Sequence, residues 1–281
     1  MSSRAGAIAA AFEAACRAEL AALKPGNVHI HQAGHGMTVD DFLTSATVAA
    51  PALVQSASGV GERLLRAVTA TREAVGKNTN LGILLLCAPL VEAALRGGPL
   101  RETACEVLRG LTVEDARQAF AAIRLASPGG LGASAQHDVR EEPRVTLAEA
   151  MALAAGRDRI AWNYANGLAD IFETGMEALA AAQRRGHPPA WRTTALYLRF
   201  LAARPDTHVV RKQGLEVARG VQARARLVET LLRAAPAEGR TAGALLQLDA
   251  ALKTQGINPG TSADLTVATL FAARLITLST Q

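Results

Sequence analysis

The chain has few aromatic residues, and this scarcity argues against a β-sheet core. Phe, Trp and Tyr make up 4% of the 281 residues, whereas hydrophobic residues as a whole make up 49%. A core without rings is built mainly from Ala, Leu and Val, which favours closely packed helices over a sheet sandwich. The high apolar content also excludes a disordered chain.

Familiar chemical signatures are scarce as well. Cys16, Cys87 and Cys105 have no spacing typical of a metal or redox site, so we expect buried free thiols in a reducing cytoplasm. The chain has no Walker loop, dinucleotide-binding fingerprint, zinc-protease motif or nucleophile elbow. No export signal is recognised, and the apolar segment 81–95 is too short to span a bilayer. We therefore predict a cytoplasmic protein without a membrane partner.

The excess of positive charge is modest. The formal net charge is +5 and the pI is about 9.6. Most Arg residues lie near Asp or Glu in the sequence, and few rings are present to stack on bases, so we do not expect a nucleic-acid partner. A phosphate-rich small ligand accounts for the bias equally well.

Apolar residues recur at three- and four-residue spacing almost throughout, and no segment has a convincing strand pattern. The predicted fold is all-α, a single multi-helical, bundle-like domain over residues 1–281. The pattern predicts continuous helices over 4–23, 158–182, 189–203, 207–234, 241–254 and 262–278, among others. Thr112 with Asp115 is predicted to cap the helix that ends near Ala126, and the longest loop is predicted over 127–144.

Three polar, glycine-bearing stretches interrupt these helices, at 24–29, 76–82 and 256–264. Each stretch lies where a helix begins or ends, and each is richer in polar groups than a short turn requires. Helix starts offer free amide groups that attract anions. We therefore predict a site built from helix ends.

The first stretch combines a cation, a turn and imidazoles. Lys24 is a point charge suited to phosphate, and Gly26 lets the backbone approach a ligand. Glu19 lies about one turn before Lys24, so both side chains are expected to face one pocket. The nearby His29, His31 and His35 are candidates for metal ligation or for hydrogen bonding and proton transfer to a nucleotide, and a solvated loop is the alternative. Of the adjacent Asp40 and Asp41, one suits helix capping and the other Mg²⁺.

The other stretches offer similar alternatives. Lys77, Asn78, Thr79 and Asn80 precede the most apolar helix and form either an anion site or an elaborate helix cap. Asp206 is a natural N-cap, and Arg211 and Lys212 lie so early in their helix that an anionic ligand is indicated. Thr261 and Asp264 form a capping-box pattern, and Asp264 is also a candidate metal ligand or proton acceptor.

Taken together, these motifs resemble the triphosphoribosyl-dephospho-CoA synthase family of all-helical transferases. The resemblance spans about residues 19–270. Its motifs are Glu19 with Lys24-Pro25-Gly26-Asn27-Val28; His35 with Met37, Asp40, Phe42 and Ser45; Asn78-Thr79 with Gly82; Asp206 with His208 and Arg211; and Pro259-Gly260 with Ser262-Ala263-Asp264-Leu265.

The chain departs from that pattern at two places. Where the family has Asn-Thr-His-Lys-Gly, this chain has Asn78-Thr79-Asn80-Leu81-Gly82, and where the family continues Leu-Val-Asp after Lys-Pro-Gly, it has Asn27-Val28-His29. The Asn-Thr-Asn-Leu-Gly form resembles a branch found in methanogens and methylotrophs, often near one-carbon cofactor genes.

The resemblance implies a reaction that joins ribose C1′ of ATP to the 2′-hydroxyl of dephospho-CoA and releases adenine. The implied roles are proton transfer by Glu19 or an Asp as base and by His29, His35 or His208 as acid. Substrate binding is expected from Lys24, Gly26, Asn27, Lys77, Asn78, Thr79, Asn80, Arg211, Lys212 and Ser262. Mg²⁺ is the expected cofactor, with Asp40, Asp206 and Asp264 as ligands.

Two other hypotheses remain open at this point. One keeps a nucleotide or phosphosugar donor but uses a pterin- or furan-like acceptor from one-carbon cofactor synthesis. The other is a helical binding protein that has lost catalysis, for which Asn80 and Leu81 are the best support. A homodimer is compatible with the sequence, which does not specify the oligomeric state.

Overall fold

A computed structural model describes the chain except residues 1–2, 31, 58, 128–138, 235–238 and 281. The His31 prediction and most of the predicted loop 127–144 therefore lie outside the described residues.

The described residues form helices joined by turns, and the all-α prediction is confirmed. The α-helices are α1 (Ser3–Leu20), α2 (Val39–Val54), α3 (Val60–Val75), α4 (Leu81–Arg96), α5 (Leu100–Arg109), α6 (Val113–Ala126), α7 (Leu147–Ala154), α8 (Arg159–Ala165), α9 (Met176–Arg184), α10 (Pro189–Ala203), α11 (Thr207–Gln213), α12 (Leu215–Ala234), α13 (Arg240–Thr254) and α14 (Gly260–Ser279). A π-helical segment, Asp170–Gly175, precedes α9. Within this described part of the chain, β-structure is limited to two isolated bridges at 29–32 and 34–37.

The chain divides into two compact units. Unit 1 comprises Met1–Cys16, Asp40–Ala169 and Phe271–Gln281, and unit 2 comprises Arg17–Val39 and Asp170–Leu270. Two of the boundaries fall within α1 and α14, and the other two fall at the start of α2 and directly before the π-helical segment. The expectation of one domain over 1–281 stays a prediction.

Unit 1 is organised around the apolar helix α4. Leu84, Leu86 and Leu90 of this helix are fully buried. Helices α3 and α6 meet where the Gly61 amide donates to Asp115 Oδ1 at 2.8 Å. Asp115 also completes the predicted capping box with Thr112 at the start of α6. The small residues of this unit thus let helices approach closely, as the shortage of aromatic residues predicts.

Unit 2 has its own core between α10, α12 and α13. The buried side chains of this core include Tyr197, Leu198, Leu201, Ala218, Val221, Ala225, Leu245, Leu248 and Leu252. They recur at three- and four-residue spacing along each helix, so one face of each is buried. This core supports the chain segments that carry most of the predicted site residues.

Two of the predicted long helices are interrupted. The expected helix 158–182 breaks after α8, where Gly167 and Leu168 adopt positive φ angles of 60° and 57°. The expected helix 207–234 breaks at Gly214, whose φ is 90°. Left-handed residues cannot continue an α-helix, so the periodic apolar pattern alone overestimates helix length. The prediction for 189–203 is confirmed.

Helix α14 is long and apolar enough to cross a membrane by length and composition alone, and it is 61% buried in the protein. Helices α4 and α5 pass the same test only as a pair bent by 113°. A mostly buried apolar helix is a normal component of a globular core.

Candidate functional site

The Lys24 side chain is fully buried in unit 2 and is surrounded by acceptors. Its Nζ donates to Glu19 Oε1, to Asn27 Oδ1 at 2.9 Å and to the Val28 carbonyl at 2.6 Å. These three bonds use all three N–H donors of the ammonium group. The geometry therefore assigns Lys24 to holding its own loop, and does not favour the predicted phosphate contact.

Burial dominates the electrostatics of this ion pair. It raises the pKa of Glu19, an effect that Lys24 opposes. Burial also lowers the pKa of Lys24, although Glu19 and, at longer range, Asp264 raise it. Glu19 is 4% exposed and forms an ion pair with Lys24, so its contacts do not favour the predicted role as base towards a substrate hydroxyl.

Helix α10 and the turn before α14 hold the backbone of the same loop. The hydroxyls of Thr194 and Tyr197 donate to the carbonyls of Leu23 and Pro25 at 3.0 and 2.7 Å. Gly26 has a φ of +81°, and a Cβ at this position would lie 2.9 Å from the Pro259 ring. The glycine thus permits close approach between protein segments, whereas the sequence suggested approach to a ligand.

Sequence reasoning missed an acidic residue on α13 that contacts this loop. Asp249, 1% exposed, accepts the Gly26 amide on Oδ1 at 2.8 Å. Its Oδ2 lies 3.2 Å from His29 Nε2 and 3.1 Å from Lys253 Nζ. Burial raises the pKa of Asp249, but the hydrogen bonds from His29, Gly26 and Lys253 together lower it by more, so its pKa lies below the ordinary value of an aspartate. The sequence signal that could have identified it is an acid on the apolar face of α13, between Leu248 and Leu252.

The two histidines of this loop that the structure describes differ in exposure. His29 is buried beside Asp249 and Lys253, and burial lowers its pKa. His35 is exposed, adopts a left-handed backbone with φ of 57°, and donates from Nε2 to the Gly26 carbonyl at 2.8 Å. Gly26 therefore links Asp249, through its amide, to His35, through its carbonyl.

Asp206 connects the starts of α11 and α14. Its Oδ1 accepts the amides of His208 and Val209 at 2.9 and 3.2 Å, which confirms the predicted N-cap. Its Oδ2 accepts both the amide and the hydroxyl of Ser262 at 2.8 Å. The four donors occupy the acceptor positions of the carboxylate, so the predicted metal contact of Asp206 and ligand contact of Ser262 are not favoured by this geometry.

The start of α14 differs from the prediction. The helix begins at Gly260, so Thr261 lies inside the first turn and the expected capping box with Asp264 is wrong. The Thr261 hydroxyl instead accepts the His208 amide at 3.2 Å. His208 packs directly on Gly260, where any Cβ would lie 2.4 Å from Nδ1.

Basic side chains collect along the short helix α11. Because this helix ends at Gln213, Arg211 and Lys212 lie in its last turn, where a cation favours the helix dipole, so the expectation that they lie too early in their helix is wrong. Burial lowers the pKa of His208, and the charges of Arg211, Lys212 and His35 lower it further, against the opposing effect of Asp206. His208 is half-buried, whereas Lys212 and His35 are exposed. This concentration of cationic groups is suited to an anion.

A side-chain amide pair joins the first and third polar stretches. Asn27 Nδ2 donates to Asn258 Oδ1 at 2.8 Å, while Asn27 Oδ1 receives the Lys24 bond. Unit 2 thus brings together four segments that are far apart in sequence. The predicted residues in this group are Glu19, Lys24, Gly26, Asn27, His29, His35, Asp206, His208, Arg211, Lys212, Ser262 and Asp264.

The remaining predicted residues lie in unit 1, at the start of α4. Lys77 Nζ donates to Asp41 Oδ2 at 2.9 Å, and Asn78 Oδ1 accepts the Leu81 amide at 3.2 Å. The Thr79 hydroxyl lies 2.6 Å from Ser45 Oγ. Asp40, in the first turn of α2, is exposed.

The two residues that depart from the Asn-Thr-His-Lys-Gly motif of the family both face inward. Asn80 is buried and donates to the Thr71 hydroxyl at 3.0 Å, and Leu81 is buried in the core of unit 1. Asn80 thus has a structural partner in place of the predicted ligand contact. These two side chains add no charge to the start of α4.

The described carboxylates and imidazoles offer few protein ligands for Mg²⁺. No group of three or more His, Cys, Asp or Glu side chains within the described ranges has an arrangement that would hold a metal ion. A Mg²⁺ ion that arrives with a polyphosphate needs only one or two protein carboxylates. Asp264 fits this requirement in unit 2, and Asp40 fits it in unit 1.

A family model described as CitG, ATP:dephospho-CoA triphosphoribosyl transferase, matches residues 5–281. The chain is also similar to the crystal structure of a candidate triphosphoribosyl-dephospho-CoA synthase from Archaeoglobus fulgidus, with a TM-score of 0.65 and 27% sequence identity. That similarity covers 82% of this chain and 97% of the other. A search of curated proteins finds no match.

Proposed function

The chain belongs to the ATP:dephospho-CoA triphosphoribosyl transferase family and is a pentosyl transferase that uses ATP, and from this premise we propose how it performs the transfer. The proposed reaction joins ribose C1′ of ATP to the 2′-hydroxyl of dephospho-CoA. The C1′–N9 bond to adenine breaks, the C1′–O bond forms, and the triphosphate stays on the transferred ribose. The hydroxyl proton is lost and adenine leaves protonated, so the reaction is balanced in atoms and charge.

Breaking a glycosidic bond in this way develops positive charge on the ribose, as in other oxocarbenium-like transition states. The enzyme must therefore bind the triphosphate, supply a proton to the departing adenine and accept one from the hydroxyl. Mg²⁺, when bound, neutralises phosphate charge and orients the triphosphate.

The observation that carries this proposal is the convergence of distant polar segments in unit 2. Three hydrogen-bonded pairs join them: Gly26 with Asp249, Asn27 with Asn258, and Asp206 with Ser262. Turns can close without hydrogen bonds between distant segments. The three pairs therefore support a preorganised substrate site.

We assign triphosphate binding in this unit to Arg211, Lys212 and His208, since the two cations lie within one helix turn of His208, which packs against Gly260 at the start of α14. His35 is the proposed proton donor to adenine, because it is exposed and its ring is oriented by the Gly26 carbonyl. Asp264 is the proposed proton acceptor or metal ligand, because it is a half-buried carboxylate near the start of α14.

The proposed reaction predicts acceptor-dependent release of adenine. Purified protein incubated with ATP, Mg²⁺ and dephospho-CoA should yield adenine and the triphosphoribosylated product in equal amounts, measured by chromatography and mass spectrometry. Omitting dephospho-CoA should abolish adenine release. Adenine formed equally without an acceptor would indicate hydrolysis and contradict the transfer.

One observation favours a second acceptor class. Asn80 and Leu81 replace a His and a Lys expected from the family motif, and both are buried, so the start of α4 offers less charge to an acceptor. A pterin- or furan-like alcohol from one-carbon cofactor synthesis is therefore the second candidate. Adenine release with such an acceptor, and none with dephospho-CoA, would select it.

We also assign the start of α4 to a phosphate-bearing substrate, through Lys77 and the hydroxyl pair of Thr79 and Ser45. Replacing Lys77 by Met should raise KM for one substrate about tenfold, the loss expected for a charge-assisted hydrogen bond. The matched control is Asp41→Asn, which removes the present partner of Lys77 and should leave KM unchanged or lower. Equal KM increases in both variants would assign the ion pair a structural role only.

A further inference from the structure

Asp249 is the most unusual polar residue outside the roles assigned so far. It lies on the apolar face of α13, is 1% exposed, and is contacted by three donors on two chain segments. Burying a carboxylate is costly unless it is paired and hydrogen-bonded. A helix in the core of unit 2 does not need this group for packing, so its contacts indicate a positioning function.

The Oδ1 atom of Asp249 acts on the Gly26 peptide. The Gly26 amide donates to it at 2.8 Å, and the carbonyl of the same residue accepts from the exposed His35 at 2.8 Å. The amide belongs to the Pro25–Gly26 peptide and the carbonyl to the Gly26–Asn27 peptide, and the positive φ of Gly26 joins the two. Asp249 thus anchors the first peptide, and through the turn at Gly26 it helps to place the carbonyl that the His35 ring contacts.

The Oδ2 atom acts on a second imidazole. It faces His29 Nε2 at 3.2 Å and Lys253 Nζ at 3.1 Å, and Lys253 Nζ also donates to the Gln32 carbonyl at 3.3 Å. Lys253 Nζ also lies 3.1 Å from His29 Nε2. A carboxylate can only accept and an ammonium can only donate, so Asp249 favours the His29 tautomer with its proton on Nε2, against the effect of Lys253. Asp249 and Lys253, which lie one turn apart on α13, thus hold the loop at Gly26, His29 and Gln32.

We propose that Asp249 is a positioning residue for the transfer reaction, orienting His35 through the Gly26 peptide and fixing the tautomer of His29. This assignment rests on the proposed function for its kinetic part, whereas its structural part is independent of any substrate. The two parts are therefore tested by separate measurements.

The kinetic test uses Asp249→Asn, which keeps an acceptor of similar size for the Gly26 amide. Because the asparagine NH₂ then faces His29 and Lys253, the loop should shift and kcat should fall about 10- to 100-fold, with KM for ATP little changed. If Asp249 acts through His35, combining Asp249→Asn with His35→Ala should be no slower than His35→Ala alone. Additive losses, or an unchanged kcat in Asp249→Asn, would overturn the assignment.

The chain offers a matched control for stability effects. Asp115 in unit 1 is also a buried carboxylate that accepts a glycine amide, that of Gly61, at 2.8 Å. Asp115→Asn should lower Tm as Asp249→Asn does, but it should leave kcat unchanged at a temperature where both variants are folded. A loss of kcat shared by both variants would mean that general destabilisation explains the effect.

The structural test is the tautomer of His29, followed by long-range ¹H–¹⁵N NMR at pH 8, with the signal identified by its loss in His29→Gln. In the native protein the proton should lie on Nε2. In Asp249→Asn the amide donates to Nε2, so the proton should move to Nδ1. The same tautomer in both proteins would overturn the assignment. This measurement does not depend on adenine release, so it tests the assignment even if the proposed function fails.

A second variant covers the case in which Asp249→Asn does not fold. The groups that act on the His29 charge are Asp249 and Lys253 from α13 and Lys24 from its own loop. Lys253→Met removes one cation and keeps the carboxylate, so the pKa of His29 should rise towards its ordinary value. A titration of His29 that is unchanged in Lys253→Met would contradict the arrangement.

Discussion

Replacing Lys24 by Met is expected to lower the free energy of unfolding by about 3–5 kcal/mol, the range typical when one member of a buried ion pair is removed. The variant keeps much of the side-chain volume but leaves the Glu19 carboxylate buried without its counter-charge. It also removes the donor that holds Asn27 and the Val28 carbonyl. Urea denaturation of the two proteins measures the difference directly.

A double-mutant cycle separates the ion pair from the loop contacts. Lys24→Met combined with Glu19→Leu replaces the pair by apolar groups, and this should recover most of the lost stability because the buried carboxylate is gone. The contrary result would be a Lys24→Met protein that is within about 1 kcal/mol of the native stability and loses affinity for ATP. That result would restore the direct phosphate contact suggested by the sequence.

Replacing Gly26 by Ala is expected to cost about 3 kcal/mol through two separate effects. The left-handed backbone, with φ of +81°, costs roughly 1–2 kcal/mol for a residue with a Cβ. The added methyl would also lie 2.9 Å from both the Leu252 side chain and the Pro259 ring, and overpacking of this kind costs about 1–3 kcal/mol. Because the loop must move to relieve the contact, kcat should fall as well.

Gly76 provides the control for this substitution. Its φ is +70°, but a Cβ there would meet nothing within 4 Å. Gly76→Ala should therefore show only the backbone effect, about 1–2 kcal/mol. Equal losses in the two variants, measured by denaturation, would mean that the close packing around Gly26 relaxes without cost.

Helix positions and helix caps could be predicted from local patterns in the sequence. The periodic apolar residues and the Pro-Gly turns act within a few positions along the chain, so they predict helices, caps such as Asp206 and Thr112, and the family. The breaks at Leu168 and Gly214 were missed because a left-handed residue depends on contacts made elsewhere. The polar stretches were identified for the same local reason, since they interrupt helices.

The partners of those polar residues were not predictable in the same way. Lys24 looked like an exposed phosphate ligand, but Glu19 and the Val28 carbonyl enclose it. Asp249 was not predicted as a site residue, because its contact with Gly26 spans 223 positions of the sequence. A charged residue has the same appearance in the sequence whether it meets water, a ligand or a buried counter-charge.

The amino-acid sequence by itself determined that the protein is helical, which segments form the helix ends, and that it resembles an ATP-dependent pentosyl transferase, because these properties depend on local spacing and motif identity. The tertiary structure alone decided which polar side chains are buried and hold the loops, among them Lys24, Asp206 and Asn80, and which lie at the surface, such as His35 and Lys212. The physical reason is desolvation: a buried polar group must find protein partners, and only the packing of distant segments determines which groups are buried.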